Sequence, residues 1–256
     1  MLQSEEGAQQ GDPLGSFYFC LVEVVSKRLG LTMNRSKCEV IGHNDVTRAL
    51  FSASGISLPE TSKSTAILLG APLSAGQQLD QILDEKKQEL QKLALRLKLM
   101  PSHDSLFLLR NVLAAPRLMY LLRSAPCTDS PVLPLYDEVL RNSLSATLNV
   151  DLDDERWRQA SLPVRWGGLG VRSAGLLAPS AYLASAASTT ELASSLLPVR
   201  LRDAVDSGIE PATSAWLRLA HYPLQSSPTA MPTSIAQRSW DDPCCKAQAD
   251  MLSTLP

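Results

Sequence analysis

Two glycines bracket two glutamines in Gly7-Ala8-Gln9-Gln10-Gly11, and Asp12-Pro13-Leu14-Gly15 breaks the backbone again before an apolar run from Phe17 to Val25. Glycine has no Cβ, so a second backbone or a ligand can approach it closely. Each glutamine carries donors and acceptors, which suits reading a base or a sugar. Taken alone, the same residues make a glycine-rich turn ahead of a buried helix, with Pro13 in its first turn and Asp12 or Ser16 as its cap. Other reactive types occur further on. Ser102-His103-Asp104-Ser105 has the residue types of a hydrolase, but neighbours at a helix start point different ways and no oxyanion pattern accompanies them; capping explains them. Gly167-Gly168-Leu169-Gly170 lacks the Lys-Ser/Thr that follows a phosphate loop and reads as a tight turn. The adjacent Cys244 and Cys245 could pair only with a distorted backbone, so no redox role is expected of them.

The stretch Glu6 to Phe19 resembles the glycine-glutamine motif of reverse transcriptases of the non-LTR retrotransposon type. Leu29 to Cys38, containing Asn34-Arg35-Ser36-Lys37, resembles a later palm motif of those enzymes, whose core is Leu-Asn-x-x-Lys. Ile67-Leu68-Leu69-Gly70-Ala71-Pro72 resembles their primer grip, and the three follow one another in the family's order. Leu108-Leu109-Arg110-Asn111 and Pro116-Arg117-Leu118-Met119-Tyr120-Leu121-Leu122-Arg123 are similar to phrases of the helical thumb, and Ala160 to Ala187 to a post-thumb segment. The resemblance thus runs from Glu6 to Ala187. It implies RNA-directed DNA synthesis with Mg²⁺. Gly7, Gln9, Gln10, Gly11, Asp12 and Pro13 would border template and nucleotide, Lys37 would approach the nucleotide phosphates, and Leu69 and Gly70 would belong to the primer grip. The thumb would clamp the primer–template duplex.

The carboxylates of that chemistry are missing from their places. The family has one metal-binding Asp upstream of the glycine-glutamine motif, a position expected before residue 1. It has an aromatic-x-Asp-Asp hairpin between that motif and the next. From Gly15 to Leu29 there is no Asp, and Glu23 is the only acid. Two-metal phosphoryl transfer needs carboxylates to hold both cations. Asp151, Asp153 and Asp154 imitate the lost motif but follow the thumb, and read as acids at a helix start. The expectation is therefore a truncated reverse transcriptase-like fragment without polymerase activity, catalytic residues or bound metal. The alternative is a helical protein- or nucleic-acid-interaction module derived from a retroelement.

Composition bounds the rest. Hydrophobic residues make up 45% of 256, enough for a real core, and aromatics at 5% leave that core to Leu, Val and Ala. A net charge of −2 argues against indiscriminate nucleic-acid binding. An RNA–DNA duplex is the expected partner, held weakly. The five irregularly spaced cysteines and three scattered histidines give no zinc pattern and fit a reducing compartment, cytoplasmic or nuclear. No secretory signal and no membrane-spanning apolar run are expected.

The elements that must position these residues follow from periodicity, and they predict a mainly α fold. A helix over Phe17–Leu29 should stop at Gly30, with short strands at Cys38–Ile41 and Thr65–Leu69 and a connector over Gly42–Ser64. From Gln77, Leu79, Ile82, Leu83, Leu90, Leu93 and Leu97 form one apolar helical face. Lys86, Lys87, Lys92, Arg96 and Lys98 offer contacts to a duplex backbone, or else a solvated face with helical ion pairs. A second helix should start at Pro101-Ser102, capped by Ser102 and kinked by Pro116, and a third should span Leu135–Leu148. Short helices are expected near Glu191–Val205, Thr213–Ala220 and after Trp240, with a linker over Gln225–Ser234. The regions are then a remnant α+β palm (1–75), a helical thumb (76–150), a post-thumb segment (151–190) and a partly flexible helical extension (191–256).

Overall fold

The computed structural model describes residues 28–30, 40–41, 60–62, 64–196, 207–222, 232 and 236–253. The chain divides into two compact units, 1–67 and 68–256. In the first, β1 (Val40–Ile41) pairs in parallel with β2 (Glu60–Thr61), in the register Val40 to Glu60 and Ile41 to Thr61. The second strand lies inside the expected connector. A parallel partner arrives through a crossover rather than a tight turn, so no local hairpin signal announces it. Gly30 has the positive φ of 74° expected of a helix-stopping glycine, two residues after helical Arg28.

The second unit is helical. After β3 (Ile67–Leu68, cut by the unit boundary) and β4 (Ala71–Pro72) come α1 (Gln77–Leu97), α2 (Ser102–Leu108), α3 (Ala115–Ser124) and α4 (Val132–Leu148). Then follow α5 (Asp154–Ser161), α6 (Ala174–Leu196), α7 (Ile209–Leu219) and α8 (Gln237–Ser253). The chain is mainly α. The expected stripe on α1 is real: Leu79, Leu83, Leu90 and Leu97 are buried, and Ile82 and Leu93 pack beside them. One core cluster draws its buried residues from Ala71 to Ala181. A second cluster joins Tyr182 and Leu183 of α6 to Trp216 and Leu217 of α7 and Trp240 of α8.

Several boundaries differ from the sequence reading. Ser102 is the first residue of α2 and makes no capping bond; Pro101 holds the cap position. The break ahead of α3 precedes Pro116: residues Leu109–Leu113 widen into a π turn, Ala114 leaves the helical region, and Pro116 sits in the first turn of α3. The carbonyl of Leu113, freed by this break, accepts a hydrogen bond from the buried Tyr136 hydroxyl at 2.9 Å. The expected helix near Glu191 is the end of the long α6, and the last helix begins at Gln237, three residues before Trp240. Residues 225–231 and 233–234 of the expected linker lie outside the described residues. Although no membrane-spanning apolar run is expected from the sequence, Ser102–Ser124 has the length and apolarity of a membrane-crossing segment. Of its apolar side chains, Leu109, Leu113, Leu118, Leu121 and Leu122 are buried in the unit's core, while Phe107 and Val112 are exposed.

Polar side chains close the helix ends. Ser105 donates to the Leu97 carbonyl at 2.7 Å, satisfying a C-terminal group of α1. Asp137 of α4 covers the start of α6: its carboxylate accepts from Ser173 Oγ at 2.6 Å, Ala174 N at 2.6 Å and Gly175 N at 3.1 Å. Arg172, just before α6, grips Asp241 of α8 with two bonds of 2.6 and 2.7 Å, and Arg165 reaches Asp242 next to it. These side-chain ties attach α8 to the turn that precedes α6.

Candidate nucleic-acid interface

Leu69 and Gly70 form the two-residue turn between β3 and β4, with φ of 51° and 84°. Left-handed values at both central residues give the hairpin turn whose twist matches that of its strands. Gly70 takes this conformation freely, whereas at Leu69 it costs about 1 kcal/mol. The strained residue is 87% exposed, so its side chain contributes nothing to the core. Its carbonyl accepts a 2.6 Å hydrogen bond from the hydroxyl of Tyr120 on α3. Ala71 and Pro72 are buried in the same unit, which anchors the other arm of the turn. The tip is therefore fixed against the helices.

Arg117, Tyr120 and Arg123 follow one another at intervals of three, on one side of α3. Arg117 is committed within the unit: it meets Glu89 of α1 at 2.5 Å, and Lys86 meets the same carboxylate at 3.1 Å. The bond from Arg117, then that from Lys86, holds the Glu89 carboxyl below its usual range. Arg123 is exposed and makes no ion pair among the described residues. Leu69, Tyr120 and Arg123 thus place an apolar tip, an aromatic ring and an uncommitted cation around one turn. Aromatic stacking with a nearby cation is the chemistry of sequence-tolerant contact with unpaired bases.

The basic patch expected on α1 does not form as one surface. Lys87 pairs with Asp84, and Lys86 turns inward to Glu89. Lys92, Arg96 and Lys98 are exposed without ion pairs among the described residues. A helix turns about 100° per residue, so Lys87 and Lys92 point roughly 140° apart. Five bases spread around a cylinder cannot follow one phosphate backbone. Gly7, Gln9, Gln10, Gly11, Asp12, Pro13 and Lys37 lie outside the described residues.

The other reactive-looking clusters have structural work. Asp153 caps α5 through a 2.8 Å bond from Arg156 N, and Asp154 pairs with Arg141 at 2.6 Å. In the glycine turn the amides of residues 167 to 170 all donate to backbone carbonyls, those of Val164, Pro163, Ala160 and Leu162 in turn. None is left to cradle a phosphate. Burial pushes the thiols of Cys127, Cys244 and Cys245 up to about 12, far from a reactive thiolate. No group of three potential metal ligands occurs among the described residues. Sequence reasoning missed Tyr120 and Arg123 as candidate site residues. The signal was present in their spacing from Arg117 within the thumb-like phrase.

Comparison found no family model that matches the chain, no curated protein similar to it and no solved structure similar to it.

Proposed function

We propose that this chain is a reverse transcriptase-like fragment of a retroelement that has lost polymerase chemistry and keeps a weak hold on RNA–DNA duplex through its palm–thumb junction. The observation that carries the reading is the tie between Tyr120 and Leu69. It joins the primer-grip-like hairpin to the thumb-like helices, two regions that the motifs connect on other grounds. In this reading β1 and β2 belong to a remnant α+β palm, and α1 to α4 form the thumb.

The residues do not fit the Mg²⁺ ions of the family. Asp153 and Asp154 serve α5 and Arg141, and the interval from Gly15 to Leu29 offers only Glu23. Without a carboxylate clamp the attacking and leaving oxygens of an in-line displacement are not stabilised. What remains is binding. Tyr120 supplies a ring face for an unpaired base at the end of the duplex and Arg123 a phosphate contact, and a small number of phosphate contacts gives modest, salt-sensitive affinity.

Primer extension with Mg²⁺ or Mn²⁺ on RNA and DNA templates is expected to give no template-dependent incorporation; incorporation above a no-protein control refutes the loss of chemistry. In fluorescence anisotropy, a short RNA–DNA hybrid should bind weakly, less so as salt rises, and lose about tenfold in affinity in Tyr120→Ala and in Arg123→Ala. Both residues are exposed, so the helices should stay intact. Affinity unchanged by both substitutions refutes the proposed interface.

A further inference from the structure

We propose that the groove between α1 and α4 docks an acidic amphipathic helix of a protein partner. The groove has a volume of about 270 Å³ and is lined by Gln91, Ala94 and Leu95 of α1, by Lys98 just past its end, and by Val139, Asn142 and Ser143 of α4. It runs along two neighbouring helices and mixes apolar side chains, Ala94, Leu95 and Val139, with polar ones, a form that can receive a helix laid along two others. Leu95 is 64% exposed, and Leu99, one turn further, is 86% exposed. Both are large apolar side chains: the periodicity that buries Leu90 and Leu97 holds Leu95 out of the core, and Leu99 lies in the turn just past the helix.

Charge decides what kind of helix fits. The first half of α1 neutralises itself through Lys87 with Asp84 and Lys86 with Glu89. After Glu89 the helix has no acid, while Lys92, Arg96 and Lys98 carry no ion pair among the described residues. Two of these bases flank Leu95 closely in sequence, and Lys98 lines the groove itself. Glu138, next to Val139 on α4, leaves the excess positive. Exposed leucines among unpaired cations match a partner that offers apolar anchors and carboxylates together. A phosphate backbone would use the cations and leave the leucines in water.

The test uses the full chain and a synthetic peptide with leucines at helical spacing and glutamates on its flanks. Its control carries lysine at every glutamate. Anisotropy should show the glutamate peptide binding at least about tenfold tighter than the lysine peptide. Leu95→Ser and Leu99→Ser should each weaken it about tenfold, and Lys98→Glu should reduce the preference between peptides. Arg123→Ala should leave peptide binding unchanged, which separates this site from the duplex interface. Circular dichroism checks the fold of each variant, and Lys98→Glu carries the test if a serine variant fails to fold. The proposal is overturned by equal binding of the two peptides, by absence of binding, or by affinity indifferent to Leu95→Ser and Leu99→Ser. Self-association in sedimentation that disappears in Leu99→Ser overturns it in favour of a second copy of this chain.

Discussion

Asp137 joins α4 to the start of α6, and its replacement by alanine exposes how much that joint contributes. The residue as a whole is half-buried, and its carboxylate accepts from Ser173 Oγ, Ala174 N and Gly175 N. Asp137→Ala removes all three bonds. Ser173 Oγ also receives Leu176 N at 3.1 Å and keeps that partner. The two backbone N–H groups lose theirs at the N-terminus of a long helix. A buried donor left unsatisfied costs about 1–3 kcal/mol, and water entering the gap recovers part of it. The expected net loss is about 3 kcal/mol, or roughly 6–12 °C in Tm for a unit of this size. Urea titration followed by circular dichroism should show a lower midpoint with an unchanged slope. Asp137→Asn should fall between, since its amide oxygen still accepts. A loss below about 0.5 kcal/mol would refute the joint. Acidity gives a second reading. Burial, outweighing the bonds from Ser173, Ala174 and Gly175, raises the Asp137 carboxyl above 3.8. Between that value and the higher folded one, the folded chain binds more protons than the unfolded chain. The contribution of this group is full below 3.8 and declines as pH rises through the folded value. The deficit of Asp137→Ala should therefore widen on moving from neutral pH into that window, and a deficit that shrinks would contradict burial as the dominant influence.

Gly168→Ala would put a Cβ 2.1 Å from the Leu162 carbonyl oxygen and 2.6 Å from that of Gln159, so a loss of about 3 kcal/mol is expected in thermal melts. Gly167→Ala meets nothing within 4 Å and is strained only by its φ of 81°, so about 1 kcal/mol is expected; equal losses at the two sites would discredit the steric account. Arg172→Ala removes both short bonds to the buried Asp241 carboxylate and leaves it Arg165 at 3.9 Å, so it should cost about 3 kcal/mol, while the double variant with Asp241→Ala should recover a measurable part. Additive losses would mean the pair is not coupled. Cys127, Cys244 and Cys245 should resist a thiol reagent at mildly alkaline pH until the chain unfolds, because burial pushes each thiol up to about 12. Labelling of all three at the rate of a free thiol in the folded chain would contradict their burial.

The sequence by itself determined the helices. Leucines three and four apart specify the buried face of α1 whatever it packs against, because the helix period is fixed by its own backbone bonds. Asp153 as a helix-start acid and the glycine turn at residues 167–170 were legible for the same reason, since each depends on residues a few positions away. The fate of the charges was not. Lys86 and Lys92 are alike in sequence, and Arg117, brought by a separate helix, is what draws Glu89 and Lys86 into one cluster. Tyr120 meets the hairpin tip through a bond to a carbonyl far along the chain, and Asp137 became a helix cap for a helix that begins well beyond it. Strand β2 needed a parallel partner that no adjacent turn could signal. Periodicity records how an element treats the interior, whereas the partner of a polar group depends on which elements meet. Only the tertiary structure decided that.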